Sequence, residues 1–223
     1  SAATNGSTVQ PPRAPDPICG DGVIAGDETC DDGKAIEASN CLDDCTVQPC
    51  GTEFAYQALW LSGFRVCLAQ ALEEADAGLA TQVLAALDED IEQVANSVPG
   101  FALAYLKRVT IWIEYQQDFP GGVYHPSSQW LRNNGYPEEW ARGIQIGNAA
   151  NYMSWVQQQP AMVLHELAHG LQRGVHGEGH APVHRLLAPL LGASRGGRAG
   201  AGHLGHVAQD GAAAAFEDLR AGG

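Results

Sequence analysis

The spacing of apolar residues predicts two helices in the first half of the globular part of the chain. Residues 53–75 are interpreted as the first helix. Residues 79–98 are predicted to form the second, because their apolar side chains recur at offsets of three and four and so line one face. That face carries Leu84, Leu87, Ile91, Val94 and Val98. Pro99 and Gly100 follow directly and are expected to end the helix.

The pattern then becomes an alternating one. Residues 107–115 are predicted to form a strand with one buried face, because two sets of side chains alternate along them. One set is Val109, Ile111 and Ile113, and the other is Thr110, Trp112 and Glu114. Residues 119–126 are predicted to turn the chain, and residues 127–142 to form a loop or a short helix rich in aromatic side chains. A second short strand is expected around Ile144 and Ile146. Helices, then a small sheet, then a further helix are typical of an α+β fold.

The segment of residues 160–180 combines an apolar stripe with a histidine pair. The stripe is spaced as on a helix that packs against a core and consists of Leu164, Leu167, Ala168 and Leu171. His165 and His169 are four residues apart with Glu166 between them, the H-E-x-x-H pattern, which places both imidazoles on one helix face. Zinc binds neutral imidazole and lowers the pKa of a bound water. His165 and His169 are therefore predicted as zinc ligands and Glu166 as the general base.

The first 50 residues lack apolar periodicity and contain five of the six cysteines. Residues 1–17 are small, polar and rich in proline, which predicts a flexible tether. Residues 19–50 are acidic and cannot form a core without cross-links, so disulfides and an oxidising, extracytoplasmic location are predicted. Zinc binding by the cysteines is the alternative, but the C-x-x-C pairs of structural zinc sites are missing. With Cys67 the number of cysteines is even, and the pairing does not follow from the sequence.

Charge and hydropathy limit the classes of function. The net charge of −14 argues against nucleic-acid binding, which needs a basic surface. No run of about 18 apolar residues is present to span a membrane. The chain starts at Ser1 without a signal segment, which is expected to have been removed or to lie outside these residues. The acidic turns offer oxygen ligands for a candidate calcium site, with solvated turns as the alternative, and their carboxylates are Asp21, Asp27, Asp31 and Asp32.

The cysteine-rich stretch has a specific order of motifs. The letters CGDG stand at residues 19–22 and GDETCDDG at residues 26–33, and Cys41 and Cys45 close the pattern. This order resembles the myxobacterial-type cysteine-rich repeat, although Asp27 stands where the family usually has glutamate. The resemblance implies a secreted or cell-surface bacterial protein, because the family's repeat is an extracellular module found beside enzymes and adhesins.

A second series of motifs lies in the globular part, at residues 109–112, 124–131, 135–141, 146–152 and 159–169, the fourth of which is taken as a strand. In this order they resemble a group of secreted bacterial zincin metallopeptidases of the gluzincin type. The resemblance implies a zincin-like half-domain that hydrolyses peptide or protein substrates with His165 and His169 on zinc and Glu166 as general base. It also implies that a strand near the cleft pairs with the extended substrate, and the sequence leaves open which of the two predicted strands does so.

The third zinc ligand is missing from the expected place. In gluzincins a glutamate on a later helix completes the site and a tyrosine or histidine steadies the oxyanion, but no such segment follows here. The metzincin pattern, which is the alternative, requires a glycine at position 172 and a third histidine at position 175. This chain has Gln172 and Val175 there. Residues 173–223 lack eight residue types and are dominated by residues with GC-rich codons, so we interpret them either as an out-of-frame tail or as a genuine low-complexity tail. The remaining candidate ligands are His176, Glu178, His180 and Glu217.

The sequence therefore predicts four parts, namely a linker over residues 1–17, a cysteine-rich module over 18–50, a zincin-like domain over 51–172 and a tail over 173–223. Its predicted function is that of a secreted zinc metallopeptidase, with weak or no activity in this chain because the third ligand is not identified. The alternative is a non-catalytic extracellular binding module based on the cysteine-rich repeat. The oligomeric state stays open.

Overall fold

The computed structural model of the chain describes residues 17–33, 40–51, 55–117, 121–158 and 162–176, the last six of them for the backbone only. Within these ranges the strands are Tyr56–Leu61 (β1), Phe64–Ala69 (β2), Ile111–Ile113 (β3), Gly122–Tyr124 (β4) and Ile144–Ile146 (β5). The helices are Gln70–Ala75 (α1), Ala77–Ser97 (α2), Gly100–Leu106 (α3), Ser128–Asn133 (α4), Ala149–Val156 (α5) and Met162–His176 (α6), with a 3₁₀ turn at Glu138–Trp140. The α+β class is confirmed in this coarse form. The tether and the tail beyond His176 lie outside the described residues.

The prediction of a helix over residues 53–75 is wrong for most of its length. The segment forms the antiparallel hairpin β1–β2, and only α1 at its end is helical. Ser62 and Gly63 connect the strands with φ of 45° and 90°, the backbone that a two-residue hairpin turn requires. The strand β2 alternates between the two faces of the sheet. Because both faces are apolar, the period of two is hard to distinguish from a helical stripe.

The five strands form one mixed sheet in the order β1-β2-β3-β5-β4. The pairs β2–β3 and β3–β5 are parallel, whereas β1 and β4 join antiparallel at the two edges. The strand predicted at residues 107–115 is confirmed only for Ile111–Ile113 (β3), and the strand around Ile144 and Ile146 is confirmed as β5. One expectation fails, because β3 is buried on both faces: Ile111 and Ile113 face the main core, and Trp112 faces a second cluster. A central strand covered on both sides has no polar face.

The helix α2 confirms the second predicted helix. Leu87, Ile91 and Val94 are buried on its inner face, and the helix ends at Ser97, before Pro99. The chain then starts a further helix, α3, which was not predicted. The predicted loop or short helix over 127–142 is confirmed as α4 and the 3₁₀ turn. The strand predicted at residues 146–152 is wrong except for Ile146, the last residue of β5, because α5 begins at Ala149 after a side-chain cap from Asn148.

All six cysteines form disulfides, as predicted, and the alternative of zinc-binding cysteines is thereby wrong. The pairs are Cys19–Cys45, Cys30–Cys41 and Cys50–Cys67. The third pair joins the cysteine-rich stretch to β2, and the Asn40 side-chain amide donates to the Arg108 carbonyl at 3.2 Å. Three disulfides are consistent with an extracytoplasmic protein. Among the described helices, none has the length and apolarity to cross a membrane.

Candidate metal centre

The helix α6 places the histidine pair at the surface and anchors it from the opposite side. Val163 and Leu167 are buried in the main core, whereas His165 is exposed. The Nε2 atoms of His165 and His169 lie 3.2 Å apart. Two nitrogens on one tetrahedral zinc ion, each about 2.0–2.1 Å from it, are about 3.3 Å apart. The two rings therefore have the spacing of a zinc-ligand pair.

The protonation state of His165 also suits a metal. Desolvation lowers the pKa of His165. The neutral ring is the form that binds a metal ion, because the protonated ring has no lone pair to donate. The donor set is imidazole nitrogen, which zinc binds well.

Glu166 points away from the histidine pair and towards β4. The Tyr124 N–H donates to Glu166 Oε2 at 2.9 Å. Burial raises the pKa of Glu166 to about 7, and the bond from Tyr124, which favours the charged carboxylate, opposes the rise. A carboxyl group with a pKa near neutrality can both accept and return a proton at physiological pH.

The strand β4 is the element of the site that the sequence pattern missed. It lies inside residues 119–126, which were predicted to be a turn, and that prediction is wrong for Gly122–Tyr124. A side chain at Gly122 would place its Cβ 3.0 Å from Met162 Sδ, and one at Gly170 would lie 3.0 Å from the Tyr124 ring. The two glycines therefore allow β4 and α6 to approach closely. These glycines, and the β-formers Val123 and Tyr124, were the only local signals.

The sheet order decides which strand can accept a further strand beside α6. Both predicted strands, β3 and β5, are paired on two sides, whereas β4 pairs with β5 alone among the described residues. Expecting one of those two strands to bind substrate is therefore wrong, since neither has a free edge. The His125 N–H donates to Gly143 and Gly121 accepts from Gly147, so residues 121 and 125 face β5. In the alternating ladder, Gly122 and Tyr124 consequently point their main-chain groups outward.

Two further histidines lie within the described residues, His125 and His176, and neither adjoins the pair. His125 is buried on the far face of the sheet, where its Nε2 lies 2.9 Å from Gln145 Oε1 and its ring stacks between Trp130 and Trp140. Burial lowers the pKa of His125, whose contacts are those of a structural side chain. His176 ends α6, seven residues after His169. That is about 10 Å further along the helix axis, which argues against a shared ion. Glu178, His180 and Glu217 lie outside the described residues.

In the acidic turns of the cysteine-rich stretch, a carboxylate accepts hydrogen bonds from the backbone of the turn itself. The Asp31 carboxylate accepts N–H groups from four residues, namely Gly20, Asp21, Gly22 and Gly33. These bonds lower the pKa of Asp31. Glu28 lies beside Cys19 and Cys45, but those sulfurs form a disulfide and offer no thiolate for a metal. Hydrogen bonds within the turn therefore account for the position of the Asp31 carboxylate without a calcium ion. Calcium binding by the remaining carboxylates stays an untested prediction.

A surface cavity of about 550 Å³ lies far from the histidine pair. It is lined by Tyr56, Gln57, Gln70, Glu73 and Glu74, at the β1 edge of the sheet, opposite β4. No protein-family profile matches the chain, and neither a curated protein nor a solved structure matches it. The class of the site is therefore inferred from the chain's own residues around α6 and β4.

Proposed function

We propose that this chain carries the metal-binding half of an extracytoplasmic, gluzincin-like zinc peptidase. The observation that carries the proposal is the 3.2 Å spacing of the Nε2 atoms of His165 and His169 on the exposed face of α6. Glu166 lies on the same helix, one position from the first ligand, and an edge strand lies beside it. Hydrolysis of an extended peptide needs a metal-binding pair of side chains, a carboxylate that transfers protons and a strand edge that holds the peptide. The histidine pair, Glu166 and β4 are these three parts.

Each part has a separate task. His165 and His169 would hold a zinc ion, which when bound would supply an activated water and a Lewis acid for the peptide carbonyl. Glu166 accepts the proton at its carboxylate and delivers it to the leaving amine. The outward main-chain groups of Gly122 and Tyr124 hold the peptide extended by pairing with its backbone, which positions the scissile bond without reading its side chains.

Two ligands bind zinc less firmly than three, so we expect weak or no turnover from this chain. A third ligand has to come from residues outside the described ranges, from a second polypeptide or from solvent. Re-reading the coding DNA in its other two frames tests the out-of-frame tail, because a helical segment with a glutamate is expected in one of them.

The zinc content of the purified, oxidised chain after equilibrium dialysis against a buffered concentration of free zinc tests the proposal. We expect about one zinc per chain at His165 and His169, lost in the double variant His165→Ala, His169→Ala and retained in Glu166→Gln. Where turnover of a peptide is measurable, Glu166→Gln should abolish it while keeping the metal. Zinc retained equally by the chain and by the double variant, or absent from both, would contradict the proposed site.

A second function, that of an extracellular binding module, is favoured by one observation. Of the six large apolar side chains that are exposed in the described residues, four lie on the cysteine-rich stretch, namely Ile18, Val23, Ile24 and Leu42. Exposed apolar groups on a cross-linked surface are suited to contact another protein. Binding of this kind should survive Glu166→Gln and be lost when the disulfides are reduced, which separates it from the peptidase.

A further inference from the structure

The Tyr124 N–H has the position of a donor to a next strand, but Glu166 occupies it. The bond from the N–H to Glu166 Oε2 is 2.9 Å long, a normal distance for a bond between two strands. Tyr124 points this N–H away from β5, at the outer edge of β4. The carboxylate oxygen therefore stands where the carbonyl oxygen of an added strand would stand.

An incoming peptide and Glu166 consequently need the same donor. One N–H can make one strong, linear hydrogen bond, so a peptide carbonyl that pairs with Tyr124 displaces the carboxylate. The Glu166 side chain is held close to the strand, since a Cβ at Gly122 would lie 3.8 Å from Glu166 Cγ. A strand added at this edge would therefore have to turn the Glu166 carboxylate away from Tyr124.

We propose that Glu166 is a latch on the edge of β4, and that an extended peptide main chain opens it by taking the Tyr124 N–H. Peptide binding and release of Glu166 are then one event, and the free carboxylate becomes able to transfer a proton only when a substrate is present. The release of a base for hydrolysis rests on the proposed function. The competition for the Tyr124 N–H does not, because it needs neither zinc nor turnover.

The test measures peptide affinity in the presence of a chelator, with a fluorescein-labelled hexapeptide of alternating alanine and valine as the probe and fluorescence polarisation as the readout. Glu166→Ala removes the competing acceptor, and we expect it to bind the probe about tenfold more tightly than the unmodified chain. Glu166→Gln is the matched control, because its amide oxygen still accepts from Tyr124. Its affinity should stay within about threefold of the unmodified chain.

A double-mutant cycle assigns the effect to the Tyr124 N–H. Tyr124→Pro removes this N–H, and proline is tolerated at an outward-facing position of an edge strand. Tyr124→Ala removes the ring and keeps the N–H. The tighter binding of the probe that Glu166→Ala causes should persist when Tyr124→Ala is also present and vanish when Tyr124→Pro is also present.

Amide exchange of Tyr124 gives a second readout that needs no substitution in β4. We expect faster exchange in Glu166→Ala than in Glu166→Gln, and slower exchange when the probe is added. Equal affinities of Glu166→Ala and Glu166→Gln, a gain that survives Tyr124→Pro, or no binding of the probe by any variant would overturn the latch. Absence of zinc at His165 and His169 would overturn the proposed peptidase and leave these measurements unchanged.

Discussion

At the residue scale, two neighbouring side chains of α6 have opposite surroundings. His165 is exposed, whereas Glu166 is partly buried beneath β4 and accepts the Tyr124 N–H. One residue along a helix is a rotation of about 100°, so adjacent positions face different directions. The H-E-x-x-H spacing fixes the angle between the histidines and the glutamate, and burial of Leu167 fixes which direction meets the sheet. The sequence predicted the spacing and the buried apolar stripe, but not that Glu166 would lie beneath β4.

A buried carboxylate elsewhere makes the stability depend on pH. Glu114 accepts the Tyr56 hydroxyl at 2.5 Å, and burial raises the pKa of Glu114 although this bond lowers it. The folded chain therefore holds this proton at pH values where the unfolded chain, with a pKa of about 4.3, has lost it. The contribution of Glu114 to stability is thus present at low pH and is lost as the pH rises towards the raised value.

The variant Glu114→Gln, which keeps an acceptor for Tyr56, should remove this dependence. We expect its free energy of unfolding, relative to the unmodified chain, to increase as the pH rises from about 4 towards neutrality. Urea unfolding at a series of pH values measures the difference. A difference that stays constant or falls with pH would contradict the role assigned to Glu114.

At the element scale, the site depends on how closely α6 and β4 approach. Long periodic elements such as α2 were predictable, because many positions repeat the same pattern. The strand β4 begins at Gly122, directly after Pro120 and Gly121, which favour a turn, and its neighbour β5 is distant in sequence. Its edge position follows from the strand order, which local pattern does not contain.

Gly170 tests this close approach. Alanine normally stabilises a helix interior by about 0.5–1 kcal/mol relative to glycine. At Gly170 its Cβ would lie 3.0 Å from the Tyr124 ring, so we expect Gly170→Ala to lose that gain and to destabilise the chain by about 1 kcal/mol. Gly100→Ala, at the first residue of α3 with open space around it, is the control and should be neutral or stabilising. Thermal unfolding measures both, and a stabilised Gly170→Ala would refute tight packing of α6 on β4.

At the scale of the whole molecule, the cysteine-rich stretch is bonded to the sheet. The disulfide Cys50–Cys67 ends in β2, and the Arg65 side chain donates to the Pro49 carbonyl at 3.3 Å. Cys67 also belongs to the second buried cluster, together with Trp112 and Trp140. This bond therefore links the two predicted parts of the chain through a buried contact and not only through the chain itself.

Replacing Cys50 and Cys67 by alanine should weaken the whole described fold. A disulfide across 17 residues stabilises by about 3 kcal/mol through the entropy of the unfolded chain. We expect a loss of this size in denaturant unfolding followed by the fluorescence of the tryptophans. Replacing Cys30 and Cys41, whose bond lies wholly within the cysteine-rich stretch, is the comparison and should leave that fluorescence transition much less affected. Equal losses in the two variants would show that the third disulfide has no special link to the sheet.

The sequence by itself determined α2, the cores of β3 and β5, the helix α6 and the presence of disulfides. Each of these follows from residues that are neighbours along the chain, or from composition. Only the tertiary structure decided the β1–β2 hairpin, the disulfide pairing, the burial of β3 on both faces and the edge position of β4. The contact between the Tyr124 N–H and Glu166 joins residues 42 positions apart. Periodicity has no information about such a contact, because it forms only when a sheet and a helix pack together.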